Sequence, residues 1–309
     1  TSAPQSGYST RKMNAGLIRN RGVELSLGGM PVSTKNWKWE MNFNIAKNSN
    51  KLVELADGVD SYSIYWTSFT TRLYNYAMVG KSLGVITGNT WERDDNGNII
   101  FHELSASQKA LYGGEYVPTY NQNTLDELGN FHPDFTGGFN TSISFKNFRL
   151  SANIDFSVGG QIVSYTNMWG SSSGILDKTA ELNDRGVNVR EPVSKGGGIH
   201  MTGVDQNGNK VDTYVNAKLY YTTASRVWEE WVYDRTYVKL REVSLSYVFP
   251  SQTLKKLNIG LSRASVAINA SNPWLIYSAC PNVDVSEIGM GYFEGGNAAA
   301  TRSIGFTVN

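Results

Sequence analysis

Apolar and polar residues alternate strictly through the centre of residues 14–55. Trp37, Trp39, Met41, Phe43 and Ile45 are apolar, and Lys38, Glu40, Asn42 and Asn44 between them are polar. A period of two describes a strand with one apolar and one polar face. Just upstream, Val23, Leu25 and Leu27 alternate with Glu24 and Ser26, and the polar stretch 31–36 joins the two runs. This predicts an antiparallel hairpin. Two tryptophans at the start of one face suit either a β-sandwich core or a wall facing lipid, with aromatics at headgroup level.

The same pattern predicts strands near 21–30, 37–47, 73–80, 84–92, 135–145, 148–160, 233–249, 257–270 and 300–309. Phe148, Leu150, Ala152, Ile154, Phe156 and Val158, for example, alternate with Arg149, Ser151, Asn153, Asp155 and Ser157. Two strands change parity midway. Val238 and Leu240 are even but Val243 and Leu245 odd; Leu257, Ile259 and Leu261 are odd but Val266 and Ile268 even. Bulges near Arg241–Glu242 and Ser262–Arg263 would restore the facing.

The connections sort into short ones (31–36, 81–83, 146–147 and 250–256) and long ones (48–72, 93–134, 161–232 and 271–299), which take turns. In an antiparallel meander, alternate connections lie at opposite ends, so every long loop is expected on one rim. Loops beyond ~15 residues are uncommon in compact soluble domains, whereas outer-membrane barrels combine tight periplasmic turns with long extracellular loops. About nine strands is an odd number, while single-chain bacterial barrels close with an even one. Further strands upstream are therefore expected, in a longer protein.

Composition narrows the chemistry. The net charge of +1 removes the electrostatic case for nucleic acid. The single cysteine, Cys280, permits neither an intrachain disulfide nor a cysteine metal site. No apolar run is long enough for a transmembrane helix, a test that barrel strands escape. Residues 1–10 lack a signal-peptide core. His102, His132 and His200 lack metal-ligand spacing. Glu229 and Glu230 point to opposite faces if extended, and Gly-x-Ser-x-Gly does not occur. No enzyme activity, cofactor or metal is expected. Residues 94–98 (DDNGN) and 205–209 (DQNGN) look calcium-like, but Asn-Gly predicts hairpin turns. Residues 179–185 (TAELNDR) could form a short helix.

Several segments carry a family resemblance. NAGLIRNRGVELSL, through Asn14, Gly16, Asn20, Gly22, Val23 and Glu24, resembles the strand opening of SusC-like (SusC/RagA family) TonB-dependent outer-membrane transporters. FNTSISFKNFRLSANIDFSVGGQI is similar to that family's paired strands ending in Gly-Gly. TYVKLREVSLSYVFP resembles its penultimate region, and TRSIGFTVN its closing strand. At Asp284-Val285-Ser286-Glu287 the chain departs from the family's frequent Asp-Pro-Glu turn, and the usual final aromatic residue is missing.

The resemblance implies an all-β fold: residues 1–309 as the C-terminal part of a large antiparallel transmembrane β-barrel, with the plug domain outside this chain. It implies residence in the Gram-negative outer membrane and import of oligosaccharides, or of oligopeptides in some members. The partners implied are a SusD-like surface lipoprotein, TonB acting through the absent N-terminal region, and outer-membrane lipid, with transporter–lipoprotein pairs able to dimerise. The alternative is a soluble or surface carbohydrate-binding β protein. Sugars stack on aromatic faces and hydrogen-bond to amides. Trp66, Trp91, Tyr165, Trp169, Trp228, Trp231 and Tyr292 lie in or near long loops. Of these, Trp66 and Trp169, together with Asn167, are the candidate substrate contacts; loop packing, membrane anchoring or lipoprotein contact would equally account for a loop aromatic.

Overall fold

The computed structural model describes Gly7 and residues 16–67, 71–257, 260–288, 293–296, 298 and 300–309. Among these, seven antiparallel strands pair in chain order into one sheet: Gly16–Ser33, Trp37–Leu55, Phe135–Phe145, Phe148–Val158, Tyr237–Val248, Ser265–Ser278 and Ser303–Val308.

The register keeps like with like across every strand. One row runs Gly28, Asn42, Asn140, Asn153, Glu242, Ser271 and Ser303. The adjacent row, one residue along the first four strands and two or three along the next two, runs Leu27, Phe43, Phe139, Ile154, Leu240 and Trp274. Another apolar row runs Trp39, Ile143, Leu150, Leu245, Ile268 and Phe306. Alternation within each strand thus becomes two continuous faces of the sheet. The polar face carries its own bonds: Arg149 Nη2 donates to Glu40 Oε2 at 3.2 Å and to Ser142 Oγ at 3.0 Å.

The apolar face is bare. Leu150, Leu245, Ile268 and Phe306 are all exposed, Phe306 by 78%. A sandwich would bury such a face against a second sheet; among the described residues nothing covers it. Aromatic pairs mark its short-turn end, Trp37 against Phe145 at 4.4 Å and Phe148 against Tyr247 at 4.7 Å. Trp274 and Tyr277, both exposed, mark the other end. Between these levels the second strand runs from Trp37 to Ile45, within the ~9–11 tilted residues that cross a bilayer.

The expected bulge at Arg241–Glu242 is present. Against Phe148–Val158 the register steps from Glu242 to Leu240, leaving Arg241 as the extra residue; on the other side, the pairs Leu240–Trp274 and Glu242–Ser271 set Arg241 against two residues of the next strand. The expected bulge at Ser262–Arg263 is not needed, because Leu257 ends a helix, Ser251–Leu257, and the strand begins only at Ser265. Ile259 lies outside the described residues.

The strands expected at 73–80 and 84–92 form, as Leu73–Met78 and Val85–Gly88, but not in the wall. They pair with Ser61–Thr67 and Asp126–Asn130 in a separate four-stranded sheet. The short turn 81–83 therefore belongs with the long connections, and residues 56–134 form a single one. With that correction the rim rule holds. Residues 34–36, 146–147 and 249–264 join wall strands at one end; 56–134, 159–236 and 279–302 join them at the other.

The long connections fold together into a lobe. It contains two further small sheets, Val232–Asp234 with Gln161–Ser164 and Phe293–Glu294, and Lys210–Val215 with Ile199–Asp205, Ile100–Glu103 and Tyr116–Pro118. Three helices join them: α1 (Ala106–Tyr112), α2 (Tyr165–Ser172) and α3 (Ala217–Ala224). Trp91, Trp228, Trp231, Met168, Val163 and Val227 are buried at the lobe's centre. The helix expected at 179–185 is instead a 3₁₀ turn, Asp177–Ala180, followed by extended chain. Residues 94–98 and 205–209 are turns in which Asp94 and Asp205 accept from the backbone N–H groups two and four residues on.

The exposed apolar face predicts a sided response to charge. Phe43→Arg and Ile154→Arg should impair membrane assembly of the full-length protein by about 2–4 kcal/mol each, whereas Asn42→Arg and Asn153→Arg should have far smaller effects. Folded yield in outer-membrane fractions checks this, and equal yields for the two pairs would refute it.

Candidate functional site

The strand Gln161–Ser164 runs directly into α2, and this junction builds the lobe's aromatic cleft. Ser164 caps α2 by accepting from Asn167 N at 3.1 Å. Buried Glu294 sits beside the same helix end, where its Oε2 accepts from Ser164 Oγ at 2.8 Å and from Thr166 N at 3.2 Å. A carboxylate there satisfies free N–H groups and complements the helix dipole. With its start fixed, α2 turns Asn167, Met168 and Ser171 inward and leaves Trp169 on its outer side, 41% exposed.

Trp169 lines a cleft of about 580 Å³ together with Tyr65, Tyr165, Phe293, Ile175 and Leu176. Tyr65 lies 4.7 Å from Phe293, which lies edge-on to Tyr165 at 5.1 Å. Burial pushes the Tyr165 phenol up to about 12, so it remains a neutral hydroxyl at ordinary pH.

Trp66 is on the other side of its strand. Tyr65 and Thr67 line the cleft; Trp66 between them faces away and is 59% exposed. It stacks on Tyr74 at 6.5 Å, which stacks on Tyr76 at 5.2 Å. The two tryptophans singled out in the sequence therefore belong to separate surfaces, an aromatic cleft and an aromatic strip.

Asn167 is fully buried. Its Nδ2 donates to Ser164 Oγ at 2.9 Å and to Pro281 O at 2.9 Å, and its Oδ1 accepts from Asn282 Nδ2 at 2.9 Å. The amide ties α2 to the segment around Pro281, behind the cleft and out of a ligand's reach. Trp91, Trp228 and Trp231 are buried too and serve loop packing. Tyr292 lies outside the described residues. Tyr65 and Phe293 escaped the sequence reading; the only local signal for Tyr65 was its adjacency to Trp66.

Two charged clusters brace the lobe. Lys239, on the polar face of the wall, is buried; its ammonium donates to Asp284 Oδ2 at 2.7 Å, Ser286 Oγ at 3.1 Å and Glu287 Oε1 at 2.7 Å. Arg241 adds bonds to Asp155 and Glu287. Hydrogen bonds from Lys239 hold the Asp284 and Glu287 carboxyls below their usual range, against the opposing effect of burial. Asp284-Val285-Ser286-Glu287, the departure from the family's turn, is thus the segment that clasps the wall.

In the second cluster His200 Nδ1 lies 2.8 Å from Asp184 and Nε2 lies 2.8 Å from Asp212, with Tyr214 stacked on the ring at 4.7 Å. Carboxylates only accept, so both contacts are hydrogen bonds when the ring is protonated and donates from both nitrogens. The Asp212 hydrogen bond and the Asp184 charge raise the histidine pKa above 6.5. Among the described residues no group of three His, Cys, Asp or Glu side chains could hold a metal. Burial pushes the Cys280 thiol up to about 12, which keeps it protonated and unreactive.

Two outcomes follow from this packing. Asn167→Ala should cost about 1–3 kcal/mol of lobe stability, because Asn282 and Pro281 lose a buried partner; thermal unfolding of the full-length protein measures it. The His200 clasp has a raised folded pKa, so its contribution is complete below about pH 6.5 and is lost as pH rises through the folded pKa. Proteolytic nicking at Arg185 should accelerate with rising pH, relative to His200→Gln, in which that extra pH dependence should vanish.

The chain is 27% identical over 287 residues to TonB-dependent receptor P3 of Formosa agariphila, covering 90% of this chain and 26% of that receptor. It is 38% identical over 157 residues to TonB-dependent receptor SusC of Bacteroides thetaiotaomicron, covering 48% of this chain and 15% of that one. The chain thus spans about a quarter or less of the length of these relatives. No family model matches it. Among solved structures, the RagAB peptide importer in its closed-closed state superposes with a TM-score of 0.65 at 17% identity, over 99% of this chain and 31% of that one. A second RagAB peptide transporter structure gives 0.62 at 16% identity, again over 99% of this chain and 31% of that one. Motifs, sequence relatives and fold agree: the chain resembles SusC/RagA-like TonB-dependent transporters in sequence, and its sheet has the fold of a segment of their barrel wall.

Proposed function

We propose that this chain supplies part of the wall and much of the outward mouth of an outer-membrane importer that takes up oligosaccharides with energy delivered through TonB. The observation that carries the proposal is the sheet itself. Its apolar face is bare and edged with aromatics, its polar face is continuous, and all long connections meet at one rim. A soluble carbohydrate-binding protein would not leave so large an apolar surface uncovered.

In this scheme the polar face lines the hydrated lumen, and the lobe meets cargo together with a SusD-like surface lipoprotein. TonB acts through parts of the protein outside this chain, and transporter–lipoprotein pairs assemble as dimers. Oligosaccharide is favoured by the stacked strip Trp66–Tyr74–Tyr76, since sugar rings pack on such flat aromatic faces. Trp169 contributes a second contact in the cleft. Oligopeptide import by the same machinery is the second reading, and the relative in the solved RagAB structures is described as a peptide importer.

Uptake of labelled oligosaccharides by cells carrying the full-length protein tests both readings. Uptake should require TonB and resist competition by unlabelled oligopeptides. Trp66→Ala and Trp169→Ala should each weaken binding by about 0.5–1.5 kcal/mol. Competition by peptides alone would transfer the function to peptide import, and detergent-independent monodispersity of the full-length protein would remove the membrane role.

A further inference from the structure

A second cleft in the lobe, of about 460 Å³, lies where the ends of α1, α2 and α3 converge. Its wall includes Arg190, Lys218, Asn216, Ser171 and Ser173, and no Asp or Glu. Lys218 is exposed and has no partner among the described residues. Arg190 is held in place from one side: Nε donates to Thr179 O at 2.7 Å and Nη2 to Thr179 Oγ1 at 2.5 Å and to Gly174 O. Its Nη1 has no described partner. Asn216 caps α3 by accepting from Leu219 N at 3.3 Å, so the first-turn N–H groups of Ala217 and Lys218, at the positive end of the helix, belong to the same wall.

A separate observation points to a ligand here. Ser171, only 1% exposed, lines the cleft, and its Oγ is buried without a hydrogen-bond partner among the described residues. A buried hydroxyl left unpaired costs about 1–3 kcal/mol.

We propose that this cleft is an oxyanion site, which takes a carboxylate, sulfate or phosphate group borne by a small solute. Arg190 Nη1 and Lys218 Nζ supply the charge, and the serine hydroxyls and first-turn amides of α3 supply directed donors. The site adjoins the aromatic cleft, with Ser173 lining both, but uses different charged groups and does not depend on which cargo the transporter carries.

The test is calorimetric titration of the full-length, detergent-solubilised protein with sodium sulfate and, in a second arm, sodium acetate, at ionic strength held constant with sodium chloride. Saturable binding is expected in at least one arm; the stronger arm says whether a tetrahedral or a planar oxyanion is preferred. Lys218→Gln, which disturbs no contact, should weaken binding on the order of five-fold. Lys210→Gln, the same charge change on an exposed strand elsewhere in the lobe, should leave it unaltered. Arg190→Gln should abolish binding but also loosens the turn at 174–179, so Lys218 decides. Absence of saturation in both arms, or equal affinity in Lys218→Gln and wild type, overturns the proposal.

Discussion

Everything in this molecule depends on keeping a period of two in register across seven strands. A slip of one residue between any pair would carry a whole set of apolar side chains to the polar face. The rows prevent this by mutual consistency. Asn42, Asn140 and Asn153 stand beside one another on one level, and Phe43, Phe139 and Ile154 on the next. Where the sequence itself changes parity, Arg241 is expelled as a bulge, and Glu242 returns to the asparagine row. Where a strand is paired on both sides, sheet pairing also satisfies its backbone groups, the condition any spanning segment must meet in hydrocarbon; the outer edges of Gly16–Ser33 and Ser303–Val308 have no partner strand among the described residues.

The lobe obeys a different rule. Its strands are short and its order comes from a core of its own, built on Trp228, Trp231, Trp91 and Met168. That core explains how such long connections can be ordered. Leu73, Ile86 and Trp91 of residues 56–134 are buried with Val163, Met168, Trp228 and Trp231 of residues 159–236, a shared apolar centre that offsets the backbone entropy lost in ordering them. The aromatic cleft forms at the edge of that packing, where Phe293, packed against the core, meets Tyr65 and Trp169 at the surface.

The wall was largely legible in the sequence because its signal is local. The errors were also local in origin. Tyr74, Tyr76 and Met78 alternate just as a wall strand does, and alternation does not say which sheet a strand joins. Leu257 and Leu261 alternate as strand residues do, but with the opposite parity to the strand that begins after them, at Ser265. The site was less legible because it is made by distant segments. Asn167 had the chemistry of a sugar-binding amide, yet Pro281 and Asn282 consume it. Trp66 and Trp169 read alike as loop tryptophans, and only the fold places them on different surfaces. The carboxylates around His200 and Lys239 come from other stretches of chain, with no spacing rule to announce them.

The clasp at Lys239 divides the mouth mechanically. All three ammonium hydrogens are spent within the run Asp284–Glu287, so that strap cannot swing without stranding a charge inside the protein. It behaves as a rigid bracket bolted to the barrel. Compliance must then reside in elements whose fastenings are wet and exchangeable, such as the Ile199–Val215 hairpin with its solvent-facing histidine.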